Sequence, residues 1–338
     1  MRDLVNVYLN KKMSNTYRLL WSQLLRVSRS YKTVGIKTTV GVPNFPRTTK
    51  SYLLGFSLFT WLGFDKKLTA EDELIHTIKH CVLFIQKNEL EKAEQLLHVA
   101  LRQAQQIHHQ YGITYVYDVM ANLALQREQL DKAKNLFIAV TQRIMTDGAS
   151  EDDPRVIHLS VKLARVSHLQ KDYTTAQIGY DWCLEKLQKL LERDPSDNNK
   201  QLLAMAEDWY GRLFLDVDRY EDGLRLMKTS LERMKEVPDI EKEHLVVQLN
   251  DIGTVCDRLG QTDESIKYFN EAIEMASSLE TEDLGTMYVN LGRAYIKRQL
   301  LDAARKSCGH AWKLGVLAKN KEVKQEAEKC IKQINNLI

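Results

Sequence analysis

Along residues 71–318, apolar positions recur at intervals of three and four, which predicts amphipathic helices with one buried face each. The stripes come in pairs separated by a short polar break, and the pair recurs six times. The copies read CVLFIQKNELEKAEQLL, ANLALQREQLDKAKNLF, ARVSHLQKDYTTAQIGY, GRLFLDVDRYEDGLRLM, GTVCDRLGQTDESIKYF and GRAYIKRQLLDAARKSC. A small residue marks the start of each second helix: Ala93, Ala133, Ala176, Gly223, Ser265 and Ala304, spaced by 40, 43, 47, 42 and 39 residues. A unit of this size cannot bury its apolar stripe alone, so neighbouring units must stack side by side. Pro154, Pro195 and Pro238 fall between copies, where they do not interrupt a helical hydrogen-bond ladder.

The spacing inside each copy resembles the tetratricopeptide pattern, in which a small residue at position 8 faces the small residue at position 20. Position 8 is Cys81, Ala121, Ala164, Gly211, Gly253 and Gly292; position 24 carries Leu97, Phe137, Tyr180, Met227, Phe269 and Cys308. Small side chains there let two helix backbones approach, and the larger ones fill the groove beside them. The resemblance implies an all-α, right-handed superhelical solenoid of helix pairs. The 5 to 13 residues beyond the usual 34 lengthen helices or the turns between copies. Lys319 to Ile338, with Val323, Ala327, Cys330, Ile331 and Ile334 on one side, reads as the polar capping helix such an array needs.

A closer resemblance lies in residues 73–104, ELIHTIKHCVLFIQKNELEKAEQLLHVALRQA, and 113–137, ITYVYDVMANLALQREQLDKAKNLF. Both are similar to the mitochondrial tetratricopeptide repeat protein 19 family, and the similarity extends more weakly to about residue 318. That resemblance implies a non-enzymatic protein of the mitochondrial inner membrane. It also implies a link to respiratory complex III, where the family helps clear fragments of the Rieske iron–sulfur subunit. A second similarity leaves another reading open: kinesin light chains, which carry cargo in the cytosol, also use repeats of about 42 residues with Asn on the groove.

Charge separates the N-terminal segment from the rest. Residues 1–50 hold ten Lys or Arg and one acid, a balance of +9, so the whole-chain value of +3 leaves −6 for the remainder. A mildly acidic repeat region does not suit nucleic acid, which calls for a basic stripe. Tyr17, Leu20, Trp21, Leu24 and Leu25 share one helix face, with Arg18, Ser22, Arg26 and Arg29 opposite. This Arg- and Ser-rich amphipathic pattern predicts a mitochondrial transit peptide within 1–50. Residues 51–64, SYLLGFSLFTWLGF, follow as an uncharged apolar run flanked by Lys50, Lys66 and Lys67. As a helix it covers about 21 Å of a hydrocarbon core of about 30 Å, and snorkelling lysines shorten the difference. We expect a short membrane anchor, with the repeats facing the intermembrane space; a buried or interfacial segment is the competing reading.

In tetratricopeptide arrays, positions 2, 5, 9 and 12 of each first helix line the concave surface. Position 9 is Asn122, Arg165, Arg212, Thr254 and Arg293 in copies two to six, and position 5 is Asp118, Val161, Asp208, Asn250 and Val289. Asn amides engage an extended backbone and Arg forks grip carboxylates. Asn122, Arg165, Arg212, Asn250 and Arg293 are therefore the candidate partner groove, for an extended segment of acidic character. The competing reading is an ordinary charged helix face, with Asp118 and Asp208 pairing to the arginines. No copy has Lys at position 5 with Asn at position 9, so the carboxylate clamp of chaperone-binding repeats is missing.

Little else carries chemistry. DVDRYED (216–222) alternates acids but sets Gly223 at the eighth place of a calcium loop, where the sixth needs it. His76 and His80 lie one turn apart without the Glu of a metalloprotease helix. The five cysteines form no C-x-x-C pair and read as free thiols, four of them at interior repeat positions. Without a P-loop, nucleophile elbow or dinucleotide fingerprint, we expect no catalytic residue, metal or cofactor.

Overall fold

The computed structural model describes residues 69–337 apart from 239, 280 and 282. The expected transit peptide (1–50) and apolar run (51–64) lie outside the described residues. Those described form thirteen helices and no strand, and are 82% helical. They divide into two compact units after Val140.

The first unit contains α1 (Ala70–Gln86), α2 (Leu90–Gln106), α3 (Gln110–Gln126) and α4 (Leu130–Thr146) as far as Val140. Thr69 starts α1 with a reciprocal capping box: its hydroxyl accepts from Asp72 N–H and the Asp72 carboxylate accepts from Thr69 N–H, both at 3.1 Å. Leu74, Cys81 and Ile85 of α1 pack with Ala93, Leu97, Ala100 and Ala104 of α2 and with Val116, Val119 and Leu123 of α3.

The second unit follows with α5 (Pro154–Leu169), α6 (Tyr173–Arg193), α7 (Asp197–Asp216), α8 (Tyr220–Lys235) and α9 (Lys242–Arg258). It closes with α10 (Thr262–Ala276), α11 (Leu284–Lys297), α12 (Leu301–Leu317) and α13 (Lys321–Asn335). Each helix packs on the next, and first helices also meet first helices, α5 on α7 and α9 on α11. The structure is thus all-α, built from tetratricopeptide-like hairpins. The longest spacing, 47 residues between Ala176 and Gly223, is absorbed by α6 and α7, which run to 21 and 20 residues. Pro154 opens α5 at a position where its missing N–H costs nothing, next to the Asp153 cap.

Every residue at positions 8, 20 and 24 is buried. Within one pair, two glycines meet at Gly211 and Gly223. A Cβ on Gly211 would stand 2.9 Å from the Gly223 carbonyl oxygen, and one on Gly223 would stand 2.8 Å from that of Gly211. Only glycine allows the backbones this near. At Gly253 the space is taken by the Phe269 ring, 2.7 Å from where a Cβ would be.

A regularity absent from our reading of the sequence sits in the turn inside each pair. Asn88, Glu128, Lys171, Asp218, Gly260 and Gln299 all adopt a left-handed conformation, with φ between 58° and 77°. The next residue's N–H then reaches back to a carbonyl of the preceding helix: Glu89 to Phe84, Gln129 to Ala124, Asp172 to Ser167, Arg219 to Phe214, Gln261 to Cys256 and Leu300 to Tyr295, at 2.8–3.0 Å. This is the Schellman closure, normally made with glycine; five of the six turns make it without one.

The cysteines correct an expectation. Cys81, Cys183 and Cys256 are free and buried, but Cys308 and Cys330 form a disulfide joining α12 to α13 across 22 residues. No local spacing rule marks this pair, because helix packing brings it together.

Candidate partner-binding surface

The candidate groove residues lie on the first helices of their pairs, and the structure gives them internal partners. Asn122 on α3 is buried, and its side-chain NH2 donates to the Asp118 carbonyl at 2.6 Å and carboxylate at 3.1 Å, one turn back. Arg165 on α5 is 8% exposed. Its guanidinium lies 2.9 Å from His168 Nδ1 and 5.7 Å from the centre of the Trp209 ring on α7. A guanidinium has no acceptor, so His168 Nδ1 accepts and Nε2 carries the proton. That Nε2–H donates to Asp216 on α7 at 2.9 Å. Burial depresses the His168 pKa, although the Asp216 hydrogen bond opposes it, so the ring is held neutral. Burial likewise lowers Arg165.

Arg212 on α7 bridges two carboxylates: Nε donates to Asp208 one turn back, and Nη1 to Asp251 on α9, each at 2.8 Å. Burial alone would lower the Arg212 pKa; the Asp208 and Asp251 carboxylates outweigh it and raise it. Further along, Asn250 on α9 accepts from Asn290 on α11 at 3.1 Å, and Lys297 of α11 pairs with Asp257 of α9 at 2.7 Å. Arg293 on α11 pairs with Glu326 on α13. It is the one candidate groove side chain that stays well exposed, at 45%.

The second unit therefore carries a polar seam that links first helix to first helix, from α5 through α7, α9 and α11 to α13. The expectation of exposure fails at Asn122 and Arg165, which are buried. The pairing of Asp208 with an arginine is present. Missed by sequence reading were His168, Trp209, Asp216, Asp251, Asn290 and Glu326. Their partners on other helices sit 33 to 48 residues away, where intervals along the chain give no guide.

For chemistry, the arrangement offers hydrogen-bond donors, acceptors and charge. Burial pushes the Cys81 and Cys183 thiols up to about 12 and Cys256 to about 11, far from the thiolate a nucleophile needs. Among the described residues no group of three or more His, Cys, Asp or Glu is placed to hold a metal. None of their helices is long and apolar enough to cross a membrane.

Comparison with known proteins fixes the lineage. The tetratricopeptide repeat family model matches residues 202–278, from α7 through α10. Over 291 residues the chain is 35% identical to the mitochondrial tetratricopeptide repeat protein 19 homolog of Drosophila melanogaster, covering 85% of this chain and 79% of that one. The chain belongs to the tetratricopeptide repeat protein 19 family. The Homo sapiens member is 30% identical over 262 residues, with 74% of this chain and 69% of that one covered. Among solved structures, the apo form of RapI matches with a TM-score of 0.61 at 13% identity, covering 97% of this chain and 85% of that one. A tetratricopeptide-repeat signal-transduction ATPase from Pyrococcus horikoshii matches at a TM-score of 0.58 and 14% identity, with 80% and 41% covered. These last two likenesses concern the fold that this member of the family shares with them.

Proposed function

We propose that this chain is a non-enzymatic interaction scaffold of the mitochondrial inner membrane that supports respiratory complex III. On this reading it binds the complex and aids clearance of Rieske subunit fragments. The observation that carries the reading is 35% identity across 85% of the chain to a mitochondrial member of the family, joined to a fold made for holding polypeptides. Residues 1–50 act as the transit peptide and 51–64 as a short anchor, with the repeats in the intermembrane space. The six pairs of 71–318 receive the partner, and 319–338 closes the array.

Within that frame Arg293 is the groove candidate that still faces solvent, while Arg165 and Arg212 hold neighbouring first helices in register. A partner contacts this seam through the outer faces of groups already bonded, so its recognition depends on the stack being intact.

The test uses the full chain, tagged, in mitochondria lacking their own copy. Native electrophoresis is expected to show it comigrating with complex III, and Rieske fragments to accumulate without it and clear on its return. A chain that reaches the inner membrane yet neither comigrates with complex III nor alters fragment levels would overturn the reading.

A further inference from the structure

The last hairpin departs from the other five at position 24. Five copies place Leu97, Phe137, Tyr180, Met227 or Phe269 there; α12 places Cys308, bonded to Cys330 of α13 with Cα atoms 6.2 Å apart. That separation lies within the range disulfides span without moving the backbone. The helix it holds is polar, and its buried side chains are Val323, Ala327, Cys330 and Ile334, two of which bury little apolar surface. Gly292 of α11 makes room: a Cβ there would collide with Cys308 Sγ and stand 3.3 Å from Cys330 Sγ. Packing by a large side chain is thus replaced by a bond.

We propose that Cys308 and Cys330 are a thiol–disulfide exchange site, at which a disulfide-carrying oxidoreductase locks the C-terminal helix onto the last helix pair. The thiolate of one cysteine attacks the oxidoreductase disulfide, forming a mixed disulfide and releasing one enzyme thiol. The thiolate of the other then attacks the mixed disulfide, forming the Cys308–Cys330 bond and releasing the second enzyme thiol. The chain loses two protons and two electrons, and the enzyme disulfide gains them. Both sulfurs belong to residues at most 2% exposed, so exchange takes place while α13 is undocked, during folding. Once α13 docks, the bond is shielded from reductants. Such a bond persists in an oxidising compartment and not in a reducing one. The proposal rests on the intermembrane-space reading only for where oxidation occurs.

The test maps thiols in the full chain from intact mitochondria, quenched in acid and alkylated in denaturant before and after reduction. Cys81, Cys183 and Cys256 are expected to react in the first step, Cys308 and Cys330 only after reduction. Alkylation of Cys308 and Cys330 in the first step overturns the proposal. A Cys330→Ala chain is expected to accumulate a reducible adduct through Cys308 with a thiol oxidoreductase; no adduct overturns the enzyme's part. Tryptic cleavage at Lys324 and Lys329 in folded chain is expected to be on the order of a hundredfold faster in a Cys308→Ala/Cys330→Ala chain than in the disulfide-bonded chain, from the closure entropy of the loop. An unchanged rate overturns the lock. Complex III comigration, read by native electrophoresis on untreated aliquots of the same mitochondria, reports the functional reading separately. Oxidised cysteines without comigration refute that reading alone, and comigration with reduced cysteines refutes this one alone.

Discussion

The α5–α9 segment and the α11–α13 segment join first helix to first helix by different means. Between α5 and α9 the links are polar and aromatic: neutral, buried His168 to the exposed Asp216, buried Arg165 over Trp209, and part-buried Arg212 between Asp208 and Asp251. Beside them Tyr180 stacks on Tyr210, with ring centres 5.3 Å apart. In the α11–α13 segment an exposed ion pair, Arg293 with Glu326, links α11 to α13, and one disulfide links α12 to α13. A helix with large neighbours is positioned by packing and can carry polar bonds in its interior. α13 packs on α11 and α12 with four buried side chains, two of them small, and a covalent bond adds to that packing.

Truncating position 24 breaks the first arrangement most severely. Tyr180→Ala and Phe269→Ala are each expected to lower unfolding stability by about 3–5 kcal/mol in urea titration, since both side chains are buried among helices that cannot collapse into the space. Next comes close backbone approach. Gly211→Ala forces a methyl against the Gly223 carbonyl and is expected to cost about 1–3 kcal/mol. Gly309→Ala, on α12 with nothing within 4 Å, is expected to be neutral or to stabilise by about 0.5–1 kcal/mol. Equal losses at the two sites would erase the contrast.

Acid weakens the α5–α9 segment through its buried histidines. His158 and His168 are both depressed, chiefly by burial, so the unfolded chain binds protons that the folded one refuses. Stability is therefore full above the unfolded histidine value of about 6.5 and falls as pH drops below it. His168→Gln is expected to remove up to about 1.4 kcal/mol per pH unit from that slope, read from urea midpoints between pH 7 and 5. Smaller still are the turns. Lys171→Gly is expected to raise the thermal midpoint, by about 0.5–1 kcal/mol of relieved left-handed strain, and Gly260→Ala to lower it similarly. Least of all, Arg293→Ala removes an exposed pair and is expected to cost at most about 1 kcal/mol in the same melts.

Much of the fold was readable in the chain. Apolar periodicity placed the pairs, and the small and large residues at positions 8, 20 and 24 are all buried. The turns were not readable as left-handed, because Glu128, Lys171, Asp218 and Gln299 lack the glycine that would signal it. Their strain is borne by the recurring hydrogen bond to the preceding helix. The candidate site was legible only as a ladder of residue types. Whether Arg165 and His168 face a partner or Trp209 and Asp216 depends on how α5 packs against α7, which composition does not encode. The disulfide escaped for the same reason, since Cys308 and Cys330 become neighbours only after α13 folds back.

The most direct measurement is a double-mutant cycle on Arg212 and Asp251, using Arg212→Leu, Asp251→Leu and the double variant in urea unfolding. A seam that fixes first helix to first helix through buried charge predicts a coupling of at least about 1.5 kcal/mol, the double variant being far less damaged than the two losses added. A coupling below about 0.5 kcal/mol would mean that these charges are spectators and that packing alone sets the stack.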